Sequence, residues 1–121
     1  MKTKKTLVIG ASEKLDRYAN KAVRMLQKHD VPVLAYGNKA GKINETVIST
    51  EFPSNEEIDT VTLYLSAKNQ TSYYDTIIDL KPKRVIFNPG TENPEFEKQL
   101  SKNGIESEIA CTLVLLSTNS Y

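Results

Sequence analysis

The chain has 121 residues, with 16 basic against 15 acidic side chains and one cysteine. That length suits a single domain over residues 1–121 with a core of its own. The near-zero net charge gives no general attraction for nucleic acid or for a membrane surface. A lone thiol excludes an internal disulfide and fits a reducing compartment. No apolar run approaches the roughly 18 residues of a membrane span, so a cytoplasmic protein is expected.

The basic start, Lys2, Lys4 and Lys5, leads only into Leu7-Val8-Ile9. That run is too short for a secretion signal, and the lysines read as a solvated lead-in. Residues 6–9 are apolar and β-branched and stop at Gly10, as a buried strand does. From Asp16 as N-cap, Ala19, Ala22, Val23 and Leu26 fall at helical spacing, with Lys21, Arg24 and Lys28 outside that face. His29 at the end of this helix complements its dipole. Residues 31–36 read as a second strand, tolerant of Pro32 at its start and ended by Gly37. Residues 37–57 are irregular: Asn38, Gly41 and Asn44 mark turns, and residues 45–50 offer a short edge strand.

Residues 59–65 alternate as a third core strand. Residues 71–80 predict a helix that buries Tyr73, Ile77 and Leu80 and cannot continue through Pro82. Residues 84–87 form a fourth strand, closed by Asn88-Pro89-Gly90. Asn93 suits the N-cap of the next helix, Pro94 its first position, and Glu95 and Glu97 its positive end. Phe96 and Leu100 form its inner face, and Gly104 can end it. Residues 105–109 are a fifth strand, and the run 112–116 is too short to assign. The alternation predicts an α/β, three-layer Rossmann-type fold with a mostly parallel five-stranded sheet in the order 3-2-1-4-5. The switch point, where ligands bind such sheets, then falls between the first and fourth strands.

Four loops should meet there. The first strand delivers Gly10-Ala11-Ser12, the second Tyr36-Gly37-Asn38-Lys39, the third Ser66-Ala67-Lys68-Asn69-Gln70, and the fourth Asn88-Pro89-Gly90. Gly10 allows a tight turn in which backbone N–H groups approach a phosphate, Ser12 adds a hydroxyl, and the helix that follows adds its positive end. The second strand ends without an acid, and the glycine fingerprint of NAD sites is absent. Cations stand there instead: Arg17, Lys21, Lys39 and Lys42 favour a ligand with an extra phosphate. No metal-ligand spacing, Walker sequence or nucleophile elbow is present, so binding is expected rather than catalysis. Cys111 follows the fifth strand and has two readings, a small core residue or a thiol that meets a ligand thiol.

Taken in order, Val8 to Ser12, Asp16 to Ala22, Asp59 to Leu65, Pro82 to Asn93 and Ala110 to Thr118 resemble the small stand-alone CoA-binding proteins. Their domain is similar to the nucleotide-binding domain of the succinyl-CoA synthetase alpha subunit. The resemblance implies coenzyme A or an acyl-CoA as the ligand. Gly10, Ala11 and Ser12 would hold its pyrophosphate, with Arg17, Tyr18, Asn20 and Lys21 close by. Gly37, Asn38 and Lys39 would meet its adenosine end, although the Asn-Pro-Lys of many relatives is altered here. Leu65, Ser66, Asn88, Pro89, Gly90 and Cys111 complete the candidate site. The expected partner is a small nucleotide ligand, not nucleic acid or membrane, and a homodimer rests only on the general frequency of two-fold assemblies. Two alternatives stay open: a subunit of an acyl-CoA ligase or transferase, and a module that senses NAD(P).

Overall fold

The structure, a computed structural model, describes residues 4–121, and Lys2 of the basic lead-in lies outside them. Its elements run β1 (Thr6–Ile9), α1 (Tyr18–Lys28), β2 (Val33–Tyr36), β3 (Gly41–Ile43), β4 (Thr46–Ser49) and β5 (Thr60–Leu63). They continue with α2 (Ala67–Gln70), a 3₁₀ turn (Thr71–Tyr73), α3 (Tyr74–Leu80), β6 (Arg84–Phe87), α4 (Pro94–Lys102), β7 (Glu106–Ile109) and α5 (Thr112–Ser117). The sheet is Rossmann-like and parallel except for β3, which runs antiparallel to β4.

Among the described residues the sheet has seven strands in the order β3-β4-β2-β1-β5-β6-β7, not five in the order 3-2-1-4-5. The difference lies in residues 41–49. Asn44, at φ +53°, turns the chain so that Ile43 pairs with Thr46, and β4 then lies parallel to β2 with Ala35 opposite Ile48. Ile43 and Ile48 are buried, and this hairpin occupies the edge beyond β2. The strand containing Thr60 to Leu63 is therefore displaced to the other side of β1, where Thr6 pairs with Thr60 and Ile9 with Leu63. The switch point follows it and falls between β1 and β5.

Strand alternation sends side chains to two cores. Leu7, Ile9, Val61, Leu63, Val85 and Phe87 face one way, beneath Tyr74 and Ile77 of α3 and Phe96 and Leu100 of α4. Val8 and Ala35 join Ile43 and Ile48 on the other face, beneath Ala19, Val23 and Leu26 of α1 and Leu116 of α5. Each fully buried Leu, Ile or Phe contributes about 1.5–3 kcal/mol of transfer free energy, so the central strands anchor the loops at their ends.

The helices differ from expectation in three places. α1 begins at Tyr18 with Arg17 in the N-cap position, and no side chain caps it, so Asp16 does not serve there. The segment 71–80 is not one helix: Thr71–Tyr73 forms a 3₁₀ turn between α2 and α3. That change of pitch turns Tyr74 rather than Tyr73 into the core, where its ring stacks on Phe96 at 4.3 Å, and leaves Leu80 only half-buried. The run 112–116 is helical as α5. α4 starts as predicted, with Asn93 Oδ1 accepting the Phe96 N–H at 3.2 Å and Pro94 at the first position.

Candidate functional site

Three strand ends converge because two glycines let backbones touch. Gly10 sits at φ +96°, and a Cβ there would come 2.9 Å from the Tyr64 carbonyl oxygen. A Cβ on Gly37 would come 2.4 Å from the Ala11 carbonyl oxygen. The N–H groups of Gly10 and Ala11 both donate to Tyr36 O, at 2.9 and 3.0 Å, and Tyr64 N–H donates to Ile9 O at 2.9 Å. These bonds brace the turn, so the Gly10 N–H is committed to protein rather than offered to a ligand. Among the described residues, the next two N–H groups, of Ser12 and Glu13, donate to no protein acceptor. Ser12 Oγ accepts the Lys14 N–H at 3.1 Å, and Asn20 Nδ2 donates to Ser12 O at 2.9 Å, which pins the turn to α1. No side chain caps α1 among the described residues, which leaves its first N–H groups without a side-chain acceptor next to this turn.

The loops enclose a cleft of about 730 Å³, inside the range of small-molecule sites. Of the predicted site residues, Gly10, Ala11, Ser12, Arg17, Gly37, Asn38, Lys39, Leu65 and Ser66 line it together. Lys14 joins Arg17 and Lys39, so three cations and one carboxylate, Glu13, border the cleft. Its wall on the β5 side is held by Gln70, which is fully buried and donates through Nε2 to Leu65 O and Thr91 O, both at 2.8 Å.

The other predicted residues do not line the cleft. Tyr18 is exposed on α1, and the Lys21 ammonium lies 5.0 Å from the centre of its ring. Asn20 is buried and bonds Ser12 O and Arg24. Asn88 is 1% exposed. Its Nδ2 donates to Thr62 Oγ1 at 2.6 Å and Leu63 O at 2.9 Å, while Oδ1 accepts the Thr112 N–H at 2.9 Å. Pro89 and Gly90 are exposed beyond it, and the Gly90 N–H donates to Glu92 Oε1. Cys111 is half-buried in the N-cap position of α5.

Glu13, Lys14, Ala40, Tyr64 and Tyr73 line the cleft although sequence reasoning does not single them out as site residues, and it places Tyr36 only as the end of its strand. Tyr36, Tyr64 and Tyr73 all line it, and Tyr36 and Tyr73 pair hydroxyl to hydroxyl at 3.0 Å. Phe52 closes the group, edge-on to Tyr36 at 5.2 Å and stacked on Tyr73 at 5.9 Å. The hydrogen bond with Tyr73, and then burial, push the Tyr36 pKa up to about 12. Burial raises Tyr64 above the usual tyrosine range. Among the described residues the Tyr64 hydroxyl is buried without a partner, and the nearby Thr62 and Thr112 hydroxyls bond each other at 2.8 Å. The available signal was position: Tyr36 ends β2 and Tyr64 follows β5, at the carboxyl ends of strands.

Among the described residues, no group of three or more His, Cys, Asp or Glu is placed to hold a metal ion, and no helix is long and apolar enough to cross a membrane. The only histidine, His29, is the C-cap residue of α1, at the end of the helix away from Arg17 and the cleft.

Residues 4–117 match the model of a family described as "CoA binding domain". No curated protein matches the sequence. Among solved structures, the chain is 49% identical to one described as the crystal structure of an uncharacterized protein, with a TM-score of 0.96 and 100% of both chains covered. The cell-free ID.343 protein of Thermus thermophilus superposes with a TM-score of 0.86 at 21% identity, over 98% of this chain and 91% of that one. A hypothetical protein from Pyrococcus horikoshii OT3 gives 0.86 at 24% identity, over 96% and 83%. These last two likenesses show the fold alone.

Proposed function

We propose, on the premise that the chain belongs to the CoA-binding domain family, that it binds coenzyme A or an acyl-CoA in the cleft between the ends of β1, β2 and β5. In this reading the pyrophosphate meets the free Ser12 and Glu13 N–H groups, the start of α1, and the side chains of Lys14 and Arg17. Backbone N–H groups and charged donors at a helix N-terminus form a general anion site. The adenosine end lies on the loop after β2, near Asn38 and Lys39, and the pantetheine leaves past Leu65 and Ser66. Asn20, Asn88 and Gly90 act on the shape of the loops rather than on the ligand, and Tyr18 and Lys21 contact each other on the exposed side of α1. Cys111 stands outside this reading.

The observation that carries the reading is the convergence on one cleft of two unengaged backbone donors and three cations, one of them, Arg17, the N-cap residue of α1. The lining residues include neither histidine nor cysteine, so the reading is of a binding module without a nucleophile–base pair of its own. Calorimetric titration with CoA, acetyl-CoA, NAD, NADP and ATP tests it. Saturable binding of CoA or acetyl-CoA, weaker for NAD, is the expected result. Equal binding of NADP and CoA would move the assignment to a general nucleotide site, and no binding of either CoA species would overturn it.

A further inference from the structure

The turn after β1 carries an acid that a phosphate-rich ligand does not call for. Glu13 lines the cleft beside Lys14, Arg17 and Lys39, yet among the described residues it forms no ion pair. Its Oε2 accepts the Lys42 N–H at 2.9 Å. Its carboxyl group also rests directly on Gly41, where a Cβ would come 2.4 Å from the Glu13 carboxyl carbon. These two contacts hold the carboxylate against the segment that follows β2.

Dinucleotide-binding sheets place an acid at this end of the second strand, where it accepts a ribose hydroxyl. Here β2 runs out in Tyr36-Gly37-Asn38-Lys39, with no acid. The turn after β1 therefore delivers, from across the cleft, the carboxylate that β2 lacks. An ionised carboxylate only accepts hydrogen bonds, so it pairs with a hydroxyl and repels a phosphate at the same position.

We infer that Glu13 sets the ribose specificity of the cleft, accepting a free ribose hydroxyl and opposing a phosphate on that ring. The inference rests on the adenosine end lying at the loop after β2. The cations draw in the pyrophosphate, while Glu13 offsets what they would add for the ribose phosphate, so dephospho-CoA competes with CoA more closely than the charge count implies.

The test is the ratio of Kd values for CoA and dephospho-CoA, measured by calorimetry on the wild type and on Glu13→Gln. The glutamine keeps an acceptor for the Lys42 N–H and nearly the same shape, and removes only the charge. The ratio should shift toward CoA by about three- to tenfold, the size expected for one charge facing a phosphate in a solvated cleft. A wild type that binds both ligands, with a ratio that Glu13→Gln leaves unchanged, overturns the inference and reduces Glu13 to an anchor for the hairpin. A wild type that binds neither ligand overturns the assignment of CoA to the cleft and this inference with it.

Discussion

Replacement of Asn88 by alanine separates a structural role for that residue from a ligand-binding one. The side chain makes three hydrogen bonds within the buried end of the sheet: two donated, to Thr62 Oγ1 and Leu63 O, and one accepted from the Thr112 N–H. Each is worth about 1 kcal/mol net, and alanine also orphans the Leu63 carbonyl and the Thr112 N–H at the start of α5. A water in the vacated space would recover part of that, which leaves a loss of about 3–4 kcal/mol. For a domain of this size, that lowers Tm by roughly 12–15 °C. Urea denaturation followed by circular dichroism, with and without CoA, provides the assay. The midpoint should fall sharply, while CoA affinity extrapolated to the folded fraction stays within about threefold of wild type, half a kcal/mol or so. A variant that keeps its Tm within about 2 °C but loses CoA binding would refute the reasoning.

Three further outcomes follow from the same geometry. Arg17→Ala should weaken CoA binding by about tenfold and flatten its salt dependence, since it removes a charge-assisted contact; equal affinity for wild type and variant in low-salt calorimetry would exclude Arg17 from the site. Gly37→Ala drives a Cβ against the Ala11 carbonyl oxygen, so it should cost about 1–3 kcal/mol in a thermal melt and disrupt the cleft; an unchanged melt would show that the two loops can part freely. Tyr36, Tyr64 and Tyr121 all hold their protons more tightly when folded than free tyrosine does. The folded state therefore binds more protons than the unfolded state above the usual value of 10.0. Their contribution to stability is full below that pH and is lost as pH rises from there toward about 12, where Tyr36 ionises. Tm measured between pH 9 and about 12 should fall, and less steeply in Tyr36→Phe.

The α/β alternation is legible because each element carries its own mark: β-branched runs that stop at glycine, and Ala19, Ala22, Val23 and Leu26 on one face of α1. Strand order is less legible. Thr60, Val61, Thr62 and Leu63 are all buried, and a strand covered on both faces bears no sign of which neighbour it will have. What decides it is the hairpin of β3 and β4, and three residues of β3 are too few for any period to show. In the cleft, Gly10, Ala11, Ser12, Gly37 and Lys39 are found by their place after strands, which the sheet then brings together. Asn88 shows the limit: an Asn-Pro-Gly turn reads the same whether its amide faces a ligand or, as here, ties β5 to α5. Tyr73 and Tyr74 are adjacent, and only the 3₁₀ turn determines that one joins the cleft and the other the core.

At the opposite edge from the hairpin, β7 pairs only with β6, so its outer row of N–H and C=O groups could template another strand. Its sequence, Glu106-Ser107-Glu108-Ile109, guards against that. A second copy added antiparallel about a two-fold axis through Ser107 would set Glu106 against Glu108 of its twin, and like charges opposed across a ladder are unfavourable. Arg84 offsets part of this, because its guanidinium pairs with Glu108 at 2.9 Å within the same chain, which leaves Glu106, among the described residues, as the uncompensated acid of the edge. At this edge, then, charge rather than closure into a barrel discourages further strand addition.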